Sequence, residues 1–220
     1  MNLLHSISPD RLESLGLTWQ NEPAQWRATP DGGMQVSVPA QVDYFQDPLG
    51  QHTKDSAPFL WAAVQGDFVA QAHVRPTFTT TWDAGALMVR YDQQHWAKIC
   101  FESTDLPSTA IVSVVTNGVS DDANGMDLTV PDVWLQIARV GNVFALHYAL
   151  DGKHWRMARL FALPVPHTVK VGLVAQCPAG PGATIDFLHF SIDNRAVKHL
   201  RAGCLLYTSD AADDLLRVDL

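Results

Sequence analysis

Hydrophobic and polar residues alternate with a period of two along most of this chain. That period places successive side chains on opposite faces of an extended strand. The pattern is clear in residues 86–91, 95–102, 110–116, 133–140, 143–150, 155–161, 169–176 and 183–192. These runs are rich in the β-branched and aromatic residues that suit a pleated, half-buried surface. Gly141-Asn142 and Asp151-Gly152 separate alternating runs by two residues, which predicts β-hairpins. Asn117-Gly118 and Asn124-Gly125 mark turns in a longer loop, and Gly180-Pro181-Gly182 reads as a hairpin turn. Pro107, Pro131, Pro164 and Pro166 fall between runs, where no ladder N–H is needed. Helical spacing is confined to a turn at Pro9–Ser14. Many antiparallel strands without a linker predict one all-β domain, a two-sheet sandwich or jelly roll.

Composition narrows the class. A chain of 220 residues, 47% hydrophobic and 17% charged, has enough apolar surface for a sizeable core. That excludes a disordered chain, a collagen-like fibre and a coiled coil. No apolar run approaches the roughly 20 residues of a membrane span, so no membrane partner is expected. The formal charge of −8 argues against a nucleic-acid partner. Three scattered cysteines make neither a disulfide framework nor a zinc site; Cys100 and Cys177 read as reduced core thiols. Met1–His5 lacks the basic and apolar regions of a signal peptide, which points to the cytoplasm.

Residues 204–220 differ in character. Cys204–Asp214 reads as a translated transposase sequencing adapter, and Arg217–Leu220 fits the segment that follows an index barcode. The expected domain is therefore residues 1–203, with 204–220 a non-native tail. Without the four aspartates and Arg217 of that tail, the net charge moves from −8 to −5.

Several long motifs resemble one family. They are Asp83–Asp92 with His95-Trp-Ala-Lys98, Ile111–Thr116 with Ser120-Asp-Asp122, Trp134 and Arg139–Tyr148 with Asp151–Trp155, and Val171–Gln176. Together they resemble the regulation-of-enolase-type, concanavalin A-like family, domain of unknown function 1349, over nearly all of residues 1–203. The resemblance implies a concanavalin A-like jelly roll with a concave face. It implies no established activity.

Alternation also sorts candidate site residues. Ala97, Ile99 and Phe101 share one face of their strand, opposite Trp96, Lys98, Cys100 and Glu102. Leu87 and Val89 lie opposite Met88 and Arg90; Phe144, Leu146 and Tyr148 lie opposite His147. One sheet is thus expected to carry a mixed face bearing Arg90, Trp96, Lys98, Glu102 and His147. Aromatic and charged residues on one face describe a binding groove, an aromatic platform for a sugar ring with charges for its hydroxyls. Lys98 and Glu102 lie about 13 Å apart along the strand, too far for a direct ion pair.

Three functions follow. The first is a non-catalytic binding domain for a carbohydrate or small polar ligand. The second is a regulatory module for a protein partner, with Trp19, Trp26 and Trp61 as a candidate patch against the alternative that they plug the sandwich ends. The third is a glycoside hydrolase or lyase. Hydrolysis needs two carboxylates about 5–10 Å apart, and Glu102-Ser-Thr-Asp105 leaves the strand after Glu102, so Asp43 is the candidate second acid. No catalytic set, metal site or cofactor motif is expected. Ser120–Asp127 is acid-rich but lacks the twelfth-position acid of an EF-hand, and reads as a solvated hairpin loop. Gly180-Pro-Gly182 lacks the third glycine of a dinucleotide fingerprint, and the nine histidines show no ligand spacing.

Overall fold

The computed structural model describes residues 1–194 and 197–205. Two seven-stranded antiparallel sheets face each other. The strands of the N-terminal half are β1 (Thr18–Gln20), β2 (Gln25–Ala28), β3 (Met34–Val38), β4 (Tyr44–Gln46), β5 (Thr53–Asp55), β6 (Phe59–Gln65), β7 (Phe68–Thr77) and β8 (Ala84–Arg90). Next come β9 (His95–Ser103), β10 (Thr109–Asn117), β11 (Val119–Asp127), β12 (Val133–Val140), β13 (Val143–Ala149) and β14 (Arg156–Ala162). The last are β15 (Thr168–Gln176), β16 (Ala183–Asp193), β17 (Val197–His199) and β18 (Cys204–Leu205). The first sheet runs β1-β6-β15-β8-β9-β10-β11, the second β14-β13-β12-β7-β16-β3-β2. This is the all-β, concanavalin A-like jelly-roll architecture.

The inner faces make the main core. Leu87 and Val89 of β8 and Ile99 and Phe101 of β9 meet a layer containing Val74 of β7 and Ile137 of β12. Alternation locates these residues because each strand has one face toward the opposite sheet. The period-two runs all form strands, with ends within two residues of those expected.

Three expectations change. Residues 119–127 form edge strand β11 rather than a loop, and Asn117-Gly118 is the tight turn that starts it. Gly118 has φ 83°, which explains the turn residue. Asn124-Gly125 lies beside a register shift between Ala110 and Val112; a Cβ on Gly125 would sit 2.8 Å from the Ile111 carbonyl oxygen. Gly180-Pro181-Gly182 joins β15 to β16, so it carries the chain from one sheet to the other. Of the tail, Cys204 and Leu205 form β18 against β17, and residues 206–220 lie outside the described residues.

A second apolar cluster lies on the outside of the first sheet. There Tyr44, Phe59, Met88, Trp96, Val112 and Val174 pack together. The cause is the small β4–β5 sheet, which lies over the outer face and turns it into an interior. It also explains β8, whose residues are all buried although its sequence is mainly small.

Candidate functional site

Strand register builds the outer face of the first sheet as rows. Gln176, Ala84, Glu102 and Ala110 form one row. Gly172, Met88, Lys98, Val114 and Asp122 form another. Lys170, Arg90, Trp96 and Thr116 form a third. Arg90, Trp96, Lys98 and Glu102 therefore share a face.

β4–β5 changes what that face presents. Trp96 is fully buried, with Tyr44 edge-on at 6.3 Å, so it is core rather than a sugar platform. Arg90 lies over the Tyr44 ring at 5.1 Å, and its guanidinium reaches Asp55 at 2.8 Å. Arg90 and Trp96 thus anchor the covering hairpin. Their alternation placed them on the correct face but carried no information about a segment some 40 residues earlier.

Lys98 is the hub of a buried polar chain. Its ammonium donates to Asp43 Oδ1 (3.0 Å), the Tyr44 carbonyl (2.9 Å) and Gln176 Oε1 (2.7 Å). Burial disfavours the ammonium most, but Asp43, Cys100 and Glu102 together outweigh it and the Lys98 pKa is raised. Gln176 spans the gap between Lys98 and Glu102: its Nε2 donates to Glu102 Oε2 (3.3 Å) and to the Trp82 carbonyl (3.2 Å). Asp43 is thus the partner of Lys98 rather than of Glu102.

Glu102 is 7% exposed. Burial, opposed by Lys98 and reinforced by Asp122, Asp43 and Asp105, pushes its carboxyl up to about 8. It is a neutral acid at pH 7. Its contact to Gln176 uses Oε2; among the described residues Oε1 has no hydrogen-bond partner, and it is not among the sealed polar atoms. The exposed Asp122 of β11 shares this outer face, in the row of Lys98.

The loop before β8 holds a residue that alternation did not single out. Trp82 is 46% exposed and its backbone has φ 69°. A bulky residue in the left-handed region is strained and persists only where its surroundings fix it. Here they do. Asp83 accepts from the Thr79 and Thr80 amides, both at 2.8 Å, and the Trp82 amide donates to the Ser103 carbonyl at 2.6 Å. The sequence signal was present in Thr79-Thr-Thr-Trp-Asp83, a polar loop holding an aromatic residue. An open depression of about 400 Å³, lined by Thr80, Thr81, Thr104 and Asp105 among others, adjoins this loop. That is the size of small-molecule sites.

His147 lies elsewhere. β13 belongs to the second sheet, so His147 faces away from the other four residues. Alternation gives the face within a strand, but not the sheet to which the strand belongs. His147 is fully buried beside Gln136, whose Nε2 donates to the Gly203 carbonyl at 3.0 Å. Burial lowers its pKa. Trp19 and Trp26 pack against the core 5.8 Å apart, and Trp61 packs against the second cluster, so these residues close the sandwich rather than form a patch.

Among the described residues, no three His, Cys, Asp or Glu side chains group to hold a metal ion, and no helix is long and apolar enough to cross a membrane. Cys100 and Cys177 are free and buried.

Comparison with known proteins places this geometry. The chain is similar to Regulation of enolase protein 1 of Saccharomyces cerevisiae, 28% identical over 176 residues, covering 80% of this chain and 88% of the yeast protein. A solved structure of a functionally unknown S. cerevisiae protein superposes with a TM-score of 0.77 at 27% identity, covering 83% of this chain and 98% of that one. A GH43 protein of Bacillus licheniformis gives 0.69 at 14% identity; this chain, 88% covered, spans only 39% of it. The exoplasmic/lumenal domain of VIP36, solved in its Ca²⁺/Man3GlcNAc-bound form, gives 0.54 at 13% identity over 89% of this chain and 90% of that one. At such identities the last two show the shared fold alone. The model of the protein family of unknown function DUF1349 matches residues 19–195, and the chain belongs to that family.

Proposed function

We propose that this chain is a non-catalytic domain that binds a carbohydrate or similar small polar ligand at the outer edge of the first sheet, around Trp82 and Glu102. One observation carries the reading. Gln176 joins the nine-tenths buried Glu102 to the carbonyl of Trp82, a half-exposed tryptophan held at φ 69°. A neutral carboxyl both donates and accepts, which suits a hydroxyl pair. An exposed indole face suits an apolar sugar face. The Man3GlcNAc-bound VIP36 domain and the GH43 protein among similar structures fit this reading. The two free buried thiols fit a reducing compartment such as the cytoplasm.

The test is a thermal-shift panel of mono- and oligosaccharides on the wild type and Trp82→Ala. A ligand at 100 times its Kd adds about 2.7 kcal/mol of stability, several degrees in midpoint. The reading expects a concentration-dependent shift that Trp82→Ala abolishes. A panel without any shift on folded protein rejects it.

A second reading, a regulatory module for a protein partner, is supported by the name of the yeast relative and by the exposed Val119 and Met126 of edge strand β11. It expects a stoichiometric partner lost on Val119→Lys. Hydrolysis is disfavoured because Asp43, the candidate second acid, is committed to Lys98.

A further inference from the structure

Two depressions adjoin at the end of the first sheet where β9 turns into β10. The first, about 420 Å³, is lined by Ser103, Pro107, Asp127, Leu128 and Thr129 among others. The second, about 400 Å³, is lined by Phe78, Thr81, Ser103, Asp105 and Pro107 among others. Ser103 and Pro107 belong to both, so the two are continuous across the β9–β10 loop. Each has the size of a small-molecule site.

The two depressions repeat one composition. Each holds an apolar side chain packed against the main core, Leu128 in the first and Phe78 in the second. Phe78 is further fixed edge-on to Phe101 at 5.2 Å. Each holds one carboxylate, Asp127 or Asp105, and no Lys, Arg or His lines either. The hydroxyls fall into two sets. Those of Thr79, Thr80, Thr104, Ser108 and Thr109 donate to the protein and hold the walls in place. Those of Thr129, Ser103 and Thr81 make no hydrogen bond among the described residues, and they fall in the first depression, at the junction and in the second. The loop between is braced, because the Thr104 amide donates to the Ser108 carbonyl at 3.0 Å and the Ser108 hydroxyl to Asp127 at 3.1 Å. The Trp82 amide, donating to the Ser103 carbonyl at 2.6 Å, ties the junction to the exposed tryptophan.

We infer that the ligand is a neutral oligosaccharide, a chain of like units laid across both depressions with Ser103 at the junction. This rests on the carbohydrate reading above and names the length and charge of the ligand. Two like depressions in series fit a repeating chain, whereas a single sugar fills only one. A free hydroxyl both donates and accepts, so it pairs with a sugar hydroxyl without a charge on either side. Leu128 and Phe78 offer each unit an apolar wall. With two carboxylates and no cation in the walls, acidic sugars are repelled. Once one unit is seated, the next meets its own depression at high effective concentration, so affinity rises with chain length.

The experiment is isothermal titration of the full chain with glucose, xylose and mannose, each as the monosaccharide and as the β-1,4-linked tetrasaccharide, and with tetragalacturonate as the acidic chain. For the sugar that binds, the tetrasaccharide is expected to be at least about tenfold tighter than the monosaccharide, and tetragalacturonate weaker than the neutral tetrasaccharide. Thr129→Val replaces an exposed hydroxyl with a methyl group and should weaken only the tetrasaccharide, by about three- to tenfold. Thr81→Val should weaken both lengths by a similar factor, since the single sugar sits beside Trp82. Unchanged thermal midpoints show that the variants fold. Equal affinity for the two lengths overturns the extended ligand and leaves the ligand site standing. Tetragalacturonate binding as tightly as the neutral chain overturns the charge assignment. A length gain that survives Thr129→Val removes the first depression from the site, and binding indifferent to Thr81→Val removes the second. No binding by any probe overturns both this inference and the carbohydrate reading.

Discussion

The two sheets bury their outer faces by different chemistry. Over the first sheet, β4–β5 covers charges: Arg90 with Asp55, and Asp43, Lys98, Gln176 and Glu102 in one chain. Over the second, residues 197–203 cover neutral groups. Gln71 donates to Gln136 at 2.8 Å, Gln136 reaches Gly203, and His147 lies beside them, with Val69, Ala138 and Val197 as the apolar part. Both faces bury polar side chains, but the covered chain on the first is charged and that on the second is neutral. The neutral network ends at His147 Nε2, a buried nitrogen with no hydrogen-bond partner among the described residues.

The sharpest way to break the contrast is to remove each hub. Lys98→Met strands Asp43 against a covered face and is expected to cost about 3–5 kcal/mol in denaturant unfolding. Gln136→Leu, losing neutral hydrogen bonds, is expected to cost about 1–3 kcal/mol. Equal costs would erase the distinction. Trp96→Ala should also cost about 3–5 kcal/mol, the signature of a buried ring rather than an exposed platform. A loss under 1 kcal/mol would return Trp96 to the surface.

The faces should also differ in the pH at which they weaken. Glu102 has a folded value of about 8 against an ordinary 4.5. Its contribution is complete below 4.5 and is lost as pH rises through 8, by up to about 1.4 kcal/mol per unit. Glu102→Gln should remove that alkaline slope. His147 is depressed below its ordinary 6.5, so its contribution is complete above 6.5 and falls as pH drops below it. His147→Gln should flatten the acid side and leave the alkaline side unchanged. Stability curves from pH 4 to 9 on the three proteins decide the matter. The smallest effect is expected in the loop before β8. Trp82→Gly relieves the left-handed strain, so stability should hold or rise by up to about 1 kcal/mol while the ligand response disappears. A clear stability loss would make Trp82 a packing residue.

The alternating pattern by itself determined the all-β class, the strand boundaries of the C-terminal two-thirds, and the shared face of Arg90, Trp96, Lys98 and Glu102. It could do so because strand geometry converts a local period into a face. The strands β1–β7 did not stand out, β1–β5 because they are short, β6 and the ten-residue β7 although they are not, and β11 looked like a loop because an edge strand buries little. Tertiary structure alone decided that His147 sits in the other sheet and that β4–β5 closes over Trp96. It also decided that Gln176 links Lys98 to Glu102, and that Trp82 rather than Trp96 meets solvent. Each of those facts joins residues many positions apart. Burial and long-range hydrogen bonds are properties of the packed chain, and no local period encodes them.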